Sequence, residues 1–273
     1  MAVRYAVATG NWSAVETWDG GTTLPTEGDD VYANGYTVSI DQDITVTKIS
    51  TEVCPTTSVG GGRFNVNTSF KTIISNIIAG TTSCVYTEGA ISLTIVGNIY
   101  ASSVAAVTGS NHSCTIDIIG DVYGGSGNNS FGVRNYYNSN ISVIGNVYGG
   151  AGISSYGVYL QNGGTLTVTG NITAGLSYAI YVSTHQIGQS LTITGNGFAS
   201  LSSSAVFCLN TIFYGSLLSA PGGHQPITVS GGNLFIDSTN VQMILQNTAN
   251  DEIRLYTADA FDQPGEENVR NGI

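Results

Sequence analysis

Between Leu93 and Phe198 the chain alternates apolar and polar residues in short bursts, and the bursts repeat. Leu93-Thr-Ile-Val-Gly-Asn-Ile-Tyr100 is followed by Ile116-Asp-Ile-Ile-Gly-Asp-Val-Tyr123 and Ile141-Ser-Val-Ile-Gly-Asn-Val-Tyr148. Leu166-Thr-Val-Thr-Gly-Asn-Ile-Thr173 and Leu191-Thr-Ile-Thr-Gly-Asn-Gly-Phe198 complete the series. The shared glycines are Gly97, Gly120, Gly145, Gly170 and Gly195, evenly spaced but for a slightly shorter first step. Their period of about 25 residues falls in the range of repeat architectures. Period-two alternation sends neighbouring side chains to opposite faces of a strand. A fixed period of this length marks a solenoid, whose repeats stack because none can bury its own apolar face. Aligned on the glycines, one inward column reads Leu93, Ile116, Ile141, Leu166, Leu191 and a second Ile95, Ile118, Val143, Val168, Ile193. Between them runs an outward polar column of Thr94, Asp117, Ser142, Thr167 and Thr192.

A second short strand fits each coil, at Phe131-Gly-Val-Arg134, Tyr156-Gly-Val-Tyr159, Tyr178-Ala-Ile-Tyr181 and Ser204-Ala-Val-Phe207. The Gly-Asn or Gly-Asp pair bends the chain, since glycine takes positive φ freely and Asn or Asp tolerates it best of the rest. Asn98, Asp121, Asn146, Asn171 and Asn196 are expected to stack as a ladder with amides bonding between coils. Helical periodicity is nearly absent. Neither the hexapeptide of left-handed β-helices nor the Leu and Asn spacing of leucine-rich repeats occurs. The pattern predicts an all-β, right-handed parallel β-helix.

The register loosens towards both ends. Lys71-Thr-Ile-Ile-Ser-Asn-Ile-Ile78 fits one slightly shortened step before Leu93, with Lys71 at an inward position, and Ile44-Thr-Val-Thr47 fits more loosely. After Gly195 the next match is Ile227-Thr-Val-Ser-Gly231, the excess being read as a loop from Asn210 to Pro226. Residues 44–240 then hold about eight coils, a column of about 38 Å at the usual strand spacing. Residues 1–43 are expected to cap the first coil, with Val31 to Ile40 as a hairpin and Trp12 and Trp18 supplying the apolar area. Residues 241–273, charged from Asp251 onward and free of the repeat, form a tail, either a docking segment or a frayed terminus.

Composition changes the picture in one respect. Only 9% of residues are charged, against roughly 25% in ordinary domains; hydroxyls and amides fill the polar positions, as suits a protein that persists outside a cell. The net charge of −11 and the scattered Arg4, Lys48, Arg63, Lys71, Arg134, Arg254 and Arg270 oppose phosphate-backbone binding, so no nucleic-acid partner is expected. No apolar run reaches the eighteen or so residues of a membrane span, so no membrane partner is expected, and Met1 to Trp12 lacks a signal-peptide h-region. Cys54, Cys84, Cys114 and Cys208 follow neither metal nor disulfide spacing. They read as free, buried thiols assembled in a reducing cytoplasm.

Candidate chemistry is sparse. Glycoside hydrolysis needs two carboxylates facing one cleft. From Ile91 to Asn210 only Asp117 and Asp121 occur, each accounted for by its column, and Arg134 stands alone. His112, His185 and His224 lack ligand spacing, and the glycine-rich turns lack the Gly-Lys-Ser/Thr of a phosphate loop; no catalytic residue, metal or cofactor is assigned. Sequons at Asn11, Asn67, Asn111, Asn128, Asn140 and Asn171 are frequent only because Asn, Ser and Thr are. An ice-binding threonine lattice is broken by Val96, Ile119, Ile144 and Asp117. Tyrosines remain, fifteen in all. Tyr100, Tyr123 and Tyr148 share a column continued by Thr173 and Phe198, while Tyr136, Tyr137, Tyr156, Tyr159, Tyr178 and Tyr181 crowd the second strand. Such ladders stabilise a solenoid, and exposed tyrosines also anchor interfaces at low entropic cost. Tyr100, Tyr123 and Tyr148, with Tyr256 and Phe261 of the tail, are the candidate protein-contact residues.

The pattern Trp12…Trp18-x-Gly20…Pro25-x-x-Gly28-Asp29-x-Val31…Val38-x-Ile40-Asp41 resembles the amino-terminal cap of pectin-lyase-like β-helix proteins, especially those of tailed-phage virions. The tail Leu255-Tyr…Pro264-x-Glu266-x-x-Val269-Arg270-x-Gly272 is similar to a segment of phage virion structural proteins. Together these two stretches make up less than a fifth of the chain. The resemblance implies a non-enzymatic virion surface protein (head decoration, fibre or spike), assembled in the host cytoplasm, contacting capsid or tail proteins and forming a homotrimer. The alternative it implies is a tail spike or fibre that binds host polysaccharide, with or without cleaving it.

Overall fold

The structure, a computed structural model, describes residues 2–109, 113–161, 164–183 and 190–195, and beyond Gly195 a series of strands reaching Met243–Ile244. It is a parallel β-solenoid. All named strands fall into an 18-stranded and a 10-stranded sheet, and every strand pair is parallel. Helix among the described residues amounts to one 3-10 turn, Val15–Thr17.

The predicted columns form in the first sheet. Ile116 lies over Leu93, Ile141 over Ile116, Leu166 over Ile141 and Leu191 over Leu166. Ile95, Ile118, Val143, Val168 and Ile193 stack in the same way and are buried. Each such aliphatic side chain contributes roughly 2 kcal/mol of burial that a lone coil could not gain. In the second sheet Val107, Val133, Val158 and Ile180 stack opposite them, so the core is a single tube of β-branched and leucine side chains.

The shared glycine is held at φ between +149° and +155° in all five phrases. A Cβ on Gly145 would fall on the carbonyl oxygen of Gly120, one on Gly120 on that of Gly97, and one on Gly170 on that of Gly145. Only a hydrogen fits between successive turns, which is why the position does not vary.

Three expectations are corrected. Val31 to Ile40 is not a hairpin: Asp30–Tyr32 joins the first sheet, between Val3–Tyr5 and Lys48–Ser50, while Thr37–Ser39 joins the second. The Asn34-Gly35 turn, both residues at positive φ, carries the chain from one sheet to the other instead of folding it back. Ile227–Val229 is not the next phrase after Gly195; it pairs with Val206–Cys208 in the second sheet. The first-sheet position is taken by Thr211–Tyr214, on Ser190–Thr194, inside the stretch expected to be a loop. The region expected only to cap the coil also supplies coils of its own, since Gly10–Asn11 and Thr37–Ser39 are strands of the second sheet.

The free edge of Val3–Tyr5 is closed by the chain itself. Asp19 N donates to Tyr5 O at 3.0 Å, Tyr5 N to Asp19 Oδ1 at 3.1 Å and Val7 N to Thr17 O at 2.8 Å. Arg4 pairs with Asp19 at 2.9 Å. Trp12 and Trp18 lie under this hook, buried and edge-to-face at 4.7 Å, with Trp18 Nε1 donating to Trp12 O.

Candidate functional site

The Gly-Asx turns build a polar ladder along one corner. Asn98 N donates to Asn76 Oδ1 (3.0 Å), Asp121 N to Asn98 Oδ1 (2.9 Å), Asn146 N to Asp121 Oδ1 (2.7 Å) and Asn171 N to Asn146 Oδ1 (2.9 Å). At every step a backbone N–H donates and the side-chain oxygen of the preceding turn accepts. Asp121 therefore serves as well as asparagine, since a carboxylate is acceptor-only. Its oxygens also receive Asn146 Nδ2 at 3.1 Å and the Tyr123 hydroxyl at 3.2 Å. A carboxylate so occupied is a poor candidate for acid–base work. Asn76 extends the ladder one turn below the predicted set, and Asn196 lies outside the described residues.

The candidate tyrosines stand beside this ladder. Tyr100 and Tyr123 stack at 4.8 Å and 6° between planes, Tyr123 and Tyr148 at 4.6 Å and 4°. Their ring faces cover one another, and the Tyr100 hydroxyl, like that of Tyr123, is tied to the ladder, accepting from Asn98 Nδ2 at 3.1 Å. Tyr123 is pushed up to about 12 by partial burial in the stack and by the Asp121 carboxylate. Across the ladder, Ile74, Val96, Ile119 and Ile144 form another column. Ile119 is 46% and Ile144 55% exposed. The first sheet thus shows solvent an isoleucine stripe and a tyrosine stripe with a polar seam between them. Tyr256 and Phe261 lie outside the described residues.

A second constellation forms on the outer face of the other sheet. The i, i+3 pairs Phe131 and Arg134, Tyr156 and Tyr159, Tyr178 and Tyr181 come together as two columns, with Arg134 in register with Tyr159 and Tyr159 with Tyr181. Tyr156 stacks on Tyr181 at 4.9 Å, and Phe131 on Tyr159 at 5.1 Å. Burial and the neighbouring phenols raise the Tyr156 and Tyr181 pKa values. The Arg134 guanidinium lies 4.2 Å from the Tyr136 ring centre, 5.4 Å from Phe131 and 5.7 Å from Tyr159. Its Nε is buried without a hydrogen-bond partner, and no carboxylate of the described residues pairs with it. Between Asp121 and Asp237 the sequence holds no Asp, Glu or Lys and only this one Arg. The signal was present as the repeated aromatic-x-x-aromatic spacing, in which Arg134 takes an aromatic's place.

Other sequence candidates resolve simply. The Trp12 and Trp18 rings are buried, so neither offers a face to a sugar. Asp117 sits in its polar column between Thr94 and Ser142. Cys54, Cys84 and Cys114 are free and buried, and burial pushes the Cys84 thiol up; Cys208 side-chain packing, and the histidines, lie outside the described residues. No group of three metal-ligating side chains occurs among the described residues, and no helix among them is long and apolar enough to cross a membrane. No family model, no curated protein and no solved structure matches the chain.

Proposed function

We propose that this chain is a non-enzymatic structural protein of a phage particle surface (a decoration, fibre or spike) that works as a stiff projection. The observation carrying this reading is the uninterrupted stacking of like on like. Aliphatic columns, a hydrogen-bonded Asx ladder and a tyrosine stack run through consecutive turns, which is the construction of a rod rather than of a catalytic cleft. The cap-like Trp12 to Asp41 pattern supports the placement on a virion.

Lateral assembly, as a homotrimer, is assigned to the first sheet's outer face. There the isoleucine and tyrosine stripes flank a seam whose hydrogen bonds are already made, so little desolvation cost opposes burial. Immunogold labelling of intact particles tests the placement: label on the head or tail is expected, and purified particles free of the protein would refute it. Light scattering with chromatography tests the assembly. Wild type is expected as a trimer and Ile119→Asp/Ile144→Asp as a monomer; a monomeric wild type rejects the lateral contact.

A further inference from the structure

We propose that the face centred on Arg134 is a binding site for an acidic saccharide, with the guanidinium receiving the sugar carboxylate. The site is independent of whether the chain sits on a particle.

Charge is distributed unevenly along the sequence. Residues 1–121 and 237–273 carry all 18 acidic side chains, and the turns between them carry Arg134 alone. A lone cation in an uncharged stretch of an acidic protein contributes nothing to fold stability through pairing. Stacking on Tyr136, Phe131 and Tyr159 fixes where the guanidinium lies, and its Nε makes no hydrogen bond, so no acceptor at that atom competes with an anionic ligand for the group's charge. The rings hold a charge in place without neutralising it. Arginine's planar fork suits a carboxylate, and a cation held by aromatic faces loses little rotamer freedom when the ligand arrives.

The surroundings select among carboxylate ligands. Phe131–Asn135 is hydrogen-bonded to strands on both sides, Val107–Thr108 and Tyr156–Gln161, so no strand edge is open to an added peptide. Around Arg134 lie the rings of Tyr136 and Tyr159, with Tyr156 and Tyr181 continuing the aromatic stack, and no carboxylate among the described residues pairs with the guanidinium. Hydroxyls beside apolar rings match the alternating C–H and O–H surface of a sugar. Asp121, in the same coil, belongs to the first sheet and is bound into its ladder.

The test titrates the full chain, by calorimetry, with oligomannuronate, hyaluronan oligomers and oligomers of sialic acid. Neutral oligomannose and oligoglutamate serve as comparisons. At least one acidic saccharide is expected to bind about tenfold or more tightly than oligomannose, weakening with salt. Arg134→Gln is expected to lose that advantage while its thermal midpoint holds or rises, and Arg134→Lys to recover part of it. Failure of all three acidic saccharides to bind overturns the proposal. So does undiminished binding by Arg134→Gln, and oligoglutamate binding as tightly as the saccharides overturns the sugar assignment.

Discussion

The leading turns and the central turns of this solenoid obey the same topology but are held by different means. In the centre, Thr115–Ile119, Ser139–Ile144 and Gly164–Thr169 follow one another at a constant interval, and each position meets its own kind. Among the leading strands the interval changes: the step from Val3 to Asp30 is half as long again as the step from Asp30 to Lys48, and the register slips between Thr45 and Lys48. Some positions there still meet their own kind, as Tyr5 meets Tyr32 and Ile49 meets Ile77, but no column runs unbroken at a constant interval. Single-use contacts replace the ladders: Trp12 against Trp18 and Phe64, Arg4 with Asp19, and Lys48 with Asp30 at 3.6 Å. Regular spacing lets one solution be reused, whereas irregular spacing demands a separate solution for every turn.

Four tests probe that contrast. Trp18→Ala removes the largest single-use contact and is expected to cost about 4 kcal/mol. Hydrogen exchange should show lost protection over the strands from Val3 to Val66, with protection at Ile141–Ile144 kept, because solenoid turns couple mainly to their neighbours. Equal loss throughout would mean the two regions are not separable.

Gly145→Ala forces a Cβ onto the Gly120 carbonyl at φ +155°, and about 3 kcal/mol of destabilisation is expected by urea unfolding. Gly20→Ala, in the leading hook at φ +82° with open space around the added carbon, should cost only about 1 kcal/mol. Reversal of that order would show that glycine is chosen for its dihedral angle alone.

Asp121→Ala is expected to cost about 1.5 kcal/mol, since the Asn146 N–H loses its acceptor, and Asp121→Asn less than about 0.5 kcal/mol. A large penalty for asparagine would show that the charge matters and not the oxygen.

The smallest effect is alkaline. Tyr123 in the folded chain titrates at about 12 against an ordinary 10, so the neutral phenol favours folding. Its contribution is complete below pH 10 and disappears as pH climbs through about 12. Ultraviolet titration should show a late-ionising tyrosine that Tyr123→Phe removes; identical curves would contradict the stacked placement.

Much of the central fold was legible in the sequence because its physical logic repeats. Ile118, Val143 and Val168 declare themselves by alternation and by period together, and Tyr100, Tyr123 and Tyr148 by the same alignment. The ladder was legible in position and not in chemistry. Adjacent asparagines suggest side-chain amides bonding between coils, and one such bond forms, Asn146 Nδ2 to Asp121 Oδ1, but every step is closed by a backbone donor. The hairpin expected over Val31 to Ile40 failed because two short alternating stretches joined by a tight turn most often pair with each other, yet the Asn34-Gly35 bend serves equally well to turn a corner between sheets. Ile227-Thr-Val misled because both sheets demand the same inward alternation, so a three-residue match cannot tell them apart. The Arg134 face was only half legible: its tyrosines were visible as a crowd, but the pairing of residues three apart on one face required the strand geometry.

The Asx ladder has a direction. From Asn76 to Asn171 the oxygen belongs to the earlier turn and the N–H to the later one at every step. During synthesis the acceptor therefore leaves the ribosome before its donor, and each finished turn offers a ready template to the one that follows. Backbone bonds at the same corner run the other way, Gly120 N donating to Ile144 O and Val122 N to Asn146 O, so adjoining turns are tied together by bonds of both polarities.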